Sequence, residues 1–139
     1  MTTDELAHDY FRRAQVRRRV LDLLFEAGEY ADVVREAQEL VELALKGMLR
    51  WAGIDPPRWH DVGAVLESQR ERLPEAVRPA LATLVKASSR LRKEREMAFY
   101  GEIDLIPGKS YDREQALAAM ASADHVIAAL PHFLAPALK

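Results

Sequence analysis

The sequence predicts an all-α fold, an up-and-down helical bundle of four to five antiparallel helices, and three observations carry that prediction. Prolines and glycines cut the 139 residues into five helical stretches. No stretch keeps the strict apolar and polar alternation of a half-buried strand for more than a few residues. The connections are short, which returns each helix beside its predecessor. A chain of this length buries roughly two thirds of its unfolded surface, so residues 1–139 are read as a single helical domain with one core.

The first stretch runs from about Asp4 to Phe25, with Thr3 or Asp4 suited to cap it and Gly28 just past its end. The second, about Tyr30 to Ala52, is closed by Gly53 and the stiff Asp55-Pro56-Pro57 turn. A third spans roughly His60 to Arg72 and stops at Leu73-Pro74. In the fourth, Pro79 belongs to the first turn, because an interior proline would cost about 3 kcal/mol, and the helix continues to Phe99. After a loop from Tyr100 to Ser110 the fifth begins near Asp112 and stops before Pro131.

Composition excludes several classes of function. Twenty basic against 22 acidic side chains leave −2, and neither half of the chain is polarised, unlike a domain that wraps duplex nucleic acid. With no cysteine there is no disulfide, thiolate metal site or cysteine nucleophile. His8, His125 and His132 have no metal-ligand spacing with one another or with acidic residues, and His60 with Asp61 reads as a capping and packing element, so neither metal nor cofactor is expected. Gly-rich phosphate loops and serine nucleophile elbows are missing as well. The acidic, polar start and the lack of any continuous apolar run of 18 residues predict a cytoplasmic protein without a membrane.

Helical-wheel arithmetic singles out side chains that fall on the wrong face. On the second helix the apolar residues from Val33 to Ala52 cover roughly 240°, too wide for one interface. That helix is either central in the bundle or shares a face with another chain, and homodimerisation is the expected outcome. On the fourth helix Arg95 falls among Ala80, Leu84, Ala87, Leu91 and Ala98. Arg17 falls likewise among Leu6, Tyr10, Ala14, Leu21 and Leu24, and Asp124 among Leu117, Met120, Ala121, Ile127 and Ala128. A buried charge costs several kcal/mol unless paired, so Arg95 or Arg17 is expected to face Asp124. Two readings stay open: a satisfied ion pair, or arginines lining a phosphate pocket, with Tyr100 at the end of the fourth helix beside them. The arginines from Arg12 to Arg19 scatter around their helix, which suits a solvated face with i,i+4 pairing, and Glu42 with Lys46 has the same favourable spacing.

Four segments in order carry a family resemblance. Residues 29–49, from Glu29-Tyr30-Ala31-Asp32 to Lys46-Gly47-Met48-Leu49, resemble the second helix of the HEPN domain family. His60-Asp61-Val62-Gly63 is similar to the family's start of the third helix, and Arg95-Glu96-Met97-Ala98-Phe99-Tyr100-Gly101 to its Arg, Ala, Tyr, Gly ending of the fourth. Tyr111 and the Ala-rich fifth helix follow. The resemblance implies a helical bundle, commonly a homodimer, that works on nucleotides or RNA. It also implies a frequent partnership with a minimal nucleotidyltransferase in a toxin and antitoxin pair. Many members are metal-independent endoribonucleases that use an Arg, four to six intervening residues and a His. Here Arg95 holds the arginine position, but Tyr100 stands where the histidine is expected. Cleavage by 2′-OH attack needs an acid and a base near neutral pH, which His supplies with a pKa of about 6.5 and Tyr, near 10, does not. The expected function is therefore a binding module that holds a nucleotide or RNA phosphate with Arg95 and Tyr100, backed by Arg17 and Asp124. An unconventional endoribonuclease and a structural interaction bundle are the alternatives.

Overall fold

Helix α1 (Thr3–Glu26) and helix α2 (Tyr30–Trp51) form a hairpin, followed by the short α3 (Val62–Ser68), two single 3₁₀ turns (Arg70–Arg72 and Arg78–Ala80), α4 (Leu81–Phe99), α5 (Arg113–Ala129) and a last turn, α6 (Pro131–Leu134). This computed structural model describes residues 3–58, 62–99, 106 and 110–134, and the side chains of residues 3, 4 and 92–99 lie outside the description. No strand occurs among the described residues, and the all-α bundle is as the sequence predicts. Trp59, His60, Asp61 and Tyr100, and most of the loop that follows Tyr100, lie outside the described residues.

Local chemistry sets the helix ends. Gly28 (φ 76°) and Gly53 (φ 79°) take the left-handed conformation that ends α1 and α2. In both, two hydrogen bonds close the last turn: Gly28 N–H to Phe25 O and Glu29 N–H to Leu24 O, then Gly53 N–H to Arg50 O and Ile54 N–H to Leu49 O. Arg72 Nη2 adds a bond of 2.7 Å to the Ala52 carbonyl. Asp112 caps α5 in a reciprocal box, its Oδ1 accepting from Gln115 N while Gln115 Oε1 accepts from Asp112 N, both at 2.9 Å. Pro79 opens α4 through a 3₁₀ turn, as its missing N–H requires.

The broad apolar arc of α2 is explained within one chain. Val33, Ala37, Leu40, Val41, Ala44, Leu45, Met48 and Leu49 are all fully buried, because α1, α3, α4 and α5 each pack against a different side of α2. The central-helix alternative therefore accounts for the arc, and no second chain is needed to cover it. α1 lies antiparallel along α2, with Phe11 against Gly47 near one end and Arg17 on Glu36 nearer the turn.

α6 is an addition that the sequence pattern did not predict. Pro131 ends α5, yet it also serves as the first residue of a new turn. That turn swings Phe133 into the core, 5.4 Å from the Phe11 ring and 5.3 Å, edge-on, from Trp51. The segment Arg113–Leu134 is long and apolar enough to cross a membrane by length and composition, with mean hydropathy 1.3, although charges interrupt every continuous apolar run. In this structure 44% of it is buried in the bundle.

Gly47 marks the tightest approach of α1 to α2. A Cβ there would lie 2.8 Å from Phe11 Cε1 and 3.0 Å from Tyr10 Cβ, and Phe11 cannot swing away because Phe133 backs it. Helix propensity alone favours Gly47→Ala by about 1 kcal/mol, but overpacking a closed core costs about 1–3 kcal/mol. We expect Gly47→Ala to lower the melting midpoint by roughly 3–8 °C, measured by calorimetry; an unchanged or raised midpoint would show that the hairpin has room to open.

Candidate functional site

The charged side chains on the inner faces do not form the predicted constellation. Arg17 reaches Glu36 on α2, with Nη1 to Oε1 at 2.8 Å, and does not meet Asp124. Asp124 is exposed and belongs to a surface link: Arg18 Nε donates to its Oδ1 at 2.6 Å and Nη2 to its Oδ2 at 3.3 Å. Arg18 also holds Asp22, one turn on, at 3.0 Å. The Asp124 carboxylate, then Asp22, raise the Arg18 pKa above its ordinary value against the opposing effect of burial. Of the two expected pairings, that of Arg17 with Asp124 is thus corrected, since each is engaged with a different partner; that of Arg95 with Asp124 lies outside the described residues.

Wheel register explains the error. On α5 the buried side is Ala116, Ala119, Met120, Ala123, Val126 and Leu130, rotated away from the predicted stripe, so Ala121 and Ala128 face solvent together with Asp124. Alanine is apolar enough to be counted as core and small enough to sit outside it, so an Ala-rich helix gives little phase information. Glu36 is the residue that sequence reasoning missed. It sits on the side of α2 that also carries Val33, Leu40 and Gly47, and its side chain is 8% exposed, held by Arg17 and, at 3.3 Å, by Arg35. The signal was available: an acid inside the apolar arc of α2 opposite an arginine inside that of α1. Gln38, 1% exposed, is also buried, and its Oε1 meets no donor.

Most described cations are committed in this way. Arg12 and Arg13 share Asp9, Lys46 lies 3.7 Å from Glu42, and Arg113 stacks over Phe25. This is the solvated, i,i+4-paired α1 surface that the scatter of its arginines predicts. Arg90 on α4, like Arg19, Arg58, Arg72 and Arg113, has no ion pair with a carboxylate among the described residues, and what sets it apart is where it lies. Its side chain borders a cavity of about 150 Å³ whose walls are Val34 of α2, Leu91 of α4, Tyr111, and Gln115 and Ala119 of α5. Tyr111 and Gln115 line the same cavity as Arg90, and phenol, amide and guanidinium are all groups that can donate to an anionic oxygen.

Arg95 and Tyr100 stand beyond this cavity in sequence. The backbone of α4 is helical through Phe99, so Arg95 is one turn past Leu91; its side chain, and Tyr100 altogether, lie outside the described residues. Among the described residues no group of three or more His, Asp or Glu is placed to hold a metal ion.

The Glu36 centre is testable as a structural element. Its arginine is 41% exposed, so water screens the attraction and a coupling of about 1 kcal/mol is expected rather than the larger value of a dry pair. A double-mutant cycle of Arg17→Ala and Glu36→Gln, read by urea unfolding, should give that coupling and lose most of it at high salt. A coupling of zero at every salt concentration would leave the hairpin to apolar packing alone.

A family model described as HEPN domain matches residues 7–132. No curated protein and no solved structure gives a significant match.

Proposed function

The chain belongs to the HEPN domain family, and we propose that within it this chain is a phosphate-binding module for nucleotides or RNA rather than a nuclease. The family supports a nucleotide- or RNA-related role in general. The observation that carries the finer reading is Arg90: a guanidinium held by no carboxylate among the described residues borders a cavity that also presents Tyr111 and Gln115. Arg95 and Tyr100 follow within ten residues of Arg90 on the same helix and its exit. Together they supply planar forks and a phenol for phosphate oxygens. Arg17 and Asp124 take no part, since Glu36 and Arg18 occupy them.

In this reading the module works as a homodimer beside a minimal nucleotidyltransferase, as the toxin half of a toxin and antitoxin pair. The dimer draws support from α1, where Val16, Val20 and Leu23 are exposed at i, i+4 and i+7 spacing. Light scattering tests it: twice the chain mass for the native protein and a single-chain mass for Leu23→Asp are expected, whereas one chain mass for both rejects it. The nucleotidyltransferase assignment rests on the family alone, and a neighbouring reading frame with a Gly-Ser and paired-Asp signature is its check.

Arg95→Gln separates ligand binding from a purely structural role. Loss of a charged hydrogen bond to phosphate costs about 1.5–3 kcal/mol, so calorimetric titration with ATP should show affinity reduced roughly tenfold or more at an unchanged melting midpoint. A lowered midpoint with affinity retained would instead make Arg95 half of a structural ion pair. No heat at millimolar ATP or with a short RNA would remove the binding reading.

A further inference from the structure

The far side of Arg90 opens onto a second depression, a groove of about 440 Å³ between α4 and α5. Its rim carries Lys86 and Arg90 from α4 and His125 from α5, with the hydroxyls of Thr83 and Ser122 between them. Ala87, Ala118 and Ala121 make the rest of the wall. We infer that this groove is a second phosphate site, joined to the cavity through Arg90, and that the two together take a single-stranded RNA rather than a free mononucleotide. The inference rests on the phosphate-binding reading above and specifies the ligand of that site.

Three observations lead there. The first is charge: among the described residues no carboxylate pairs with Lys86 or Arg90, whereas eight other arginines hold one. Among the described residues no acidic side chain lines the groove, and Lys86 and Arg90 make its described rim cationic in a chain whose net charge is −2. The second is spacing. Lys86 and Arg90 are four residues apart, about 6 Å along the helix, and Arg90 also borders the adjoining cavity, so cationic positions follow one another along α4 as phosphates do along a strand. A nucleoside monophosphate has one such group and fills one site, whereas a strand offers them in succession. The third is what the groove lacks: among the described residues no Phe, Tyr or Trp lines it, so its contacts are mainly with the backbone rather than the base. Lys86 supplies a point charge, Arg90 a fork, and Thr83, Ser122 and the His125 ring further hydrogen-bond donors.

The test compares uridine monophosphate with an eight-residue oligouridylate, using anisotropy and calorimetry over a range of salt concentrations. The oligonucleotide should bind at least tenfold more tightly. The slope of log affinity against log salt should become shallower by about 0.7 in Lys86→Gln, since one phosphate contact on a single strand is lost. Lys86→Gln should leave monophosphate binding unchanged, and Arg90→Gln should weaken both ligands. His125→Gln, also at an exposed position, should weaken the oligonucleotide selectively and serves as an independent variant if Lys86→Gln proves unstable. Equal affinity for the two ligands, with a salt slope that neither variant alters, overturns the second site while leaving the phosphate reading in place. Failure of both ligands to bind overturns both.

Discussion

The enclosure of α2 by its own chain is the constraint on which the other elements depend. A helix apolar over most of its circumference must be covered on every side, and α1, α3, α4 and α5 each supply one wall. Gly47 lets α1 approach closely, and Phe11, lodged against it, meets Phe133 from α6. The end of the bundle is thereby closed by aromatic side chains from the first and last described elements. Polar groups are admitted to this interior sparingly, and where a carboxylate enters, at Glu36, two guanidinium groups accompany it.

The arginines show how a near-neutral chain divides one residue type among several tasks. Arg17 neutralises a buried acid, Arg18 ties α1 to α5 at the surface, Arg72 closes the end of α2, and Arg78 bonds the carbonyls of Glu71 and Leu73. Arg18 alone of these grips a carboxylate with two nitrogens of its planar fork, a geometry that lysine lacks. In the described part of α4 it is Arg90, with neither an acid nor a carbonyl bound to it among the described residues, that borders two depressions.

Much of the fold was legible in the sequence because its signals are local. Gly28, Gly53, Pro79 and Asp112 each dictate a backbone event within a few residues, and all four fall where the helices end or begin. The predicted third helix is broken after Ser68 into a separate 3₁₀ turn, a distinction too fine for periodicity. The site was less legible, since it depends on helix phase and on pairing across the bundle. Alanines on both sides of α5 blurred its phase, so Asp124 was assigned to the interior when it lies outside. Arg17 was correctly singled out as an arginine on an inner face, yet nothing local could say that Glu36, rather than Asp124, would meet it. Lys86, Arg90 and His125 were invisible as a set, because each looks like an ordinary surface residue until α4 and α5 are laid side by side.

The arrangement of α4 and α5 has a mechanical side. Each is anchored mainly on α2 and less extensively on the other, and the groove between them is lined by alanines as well as by polar and cationic side chains. Packed helices that share few contacts are those between which small sliding movements are mechanically feasible. The molecule thus combines a central keel, α2, with two planks that lean on it more than on each other.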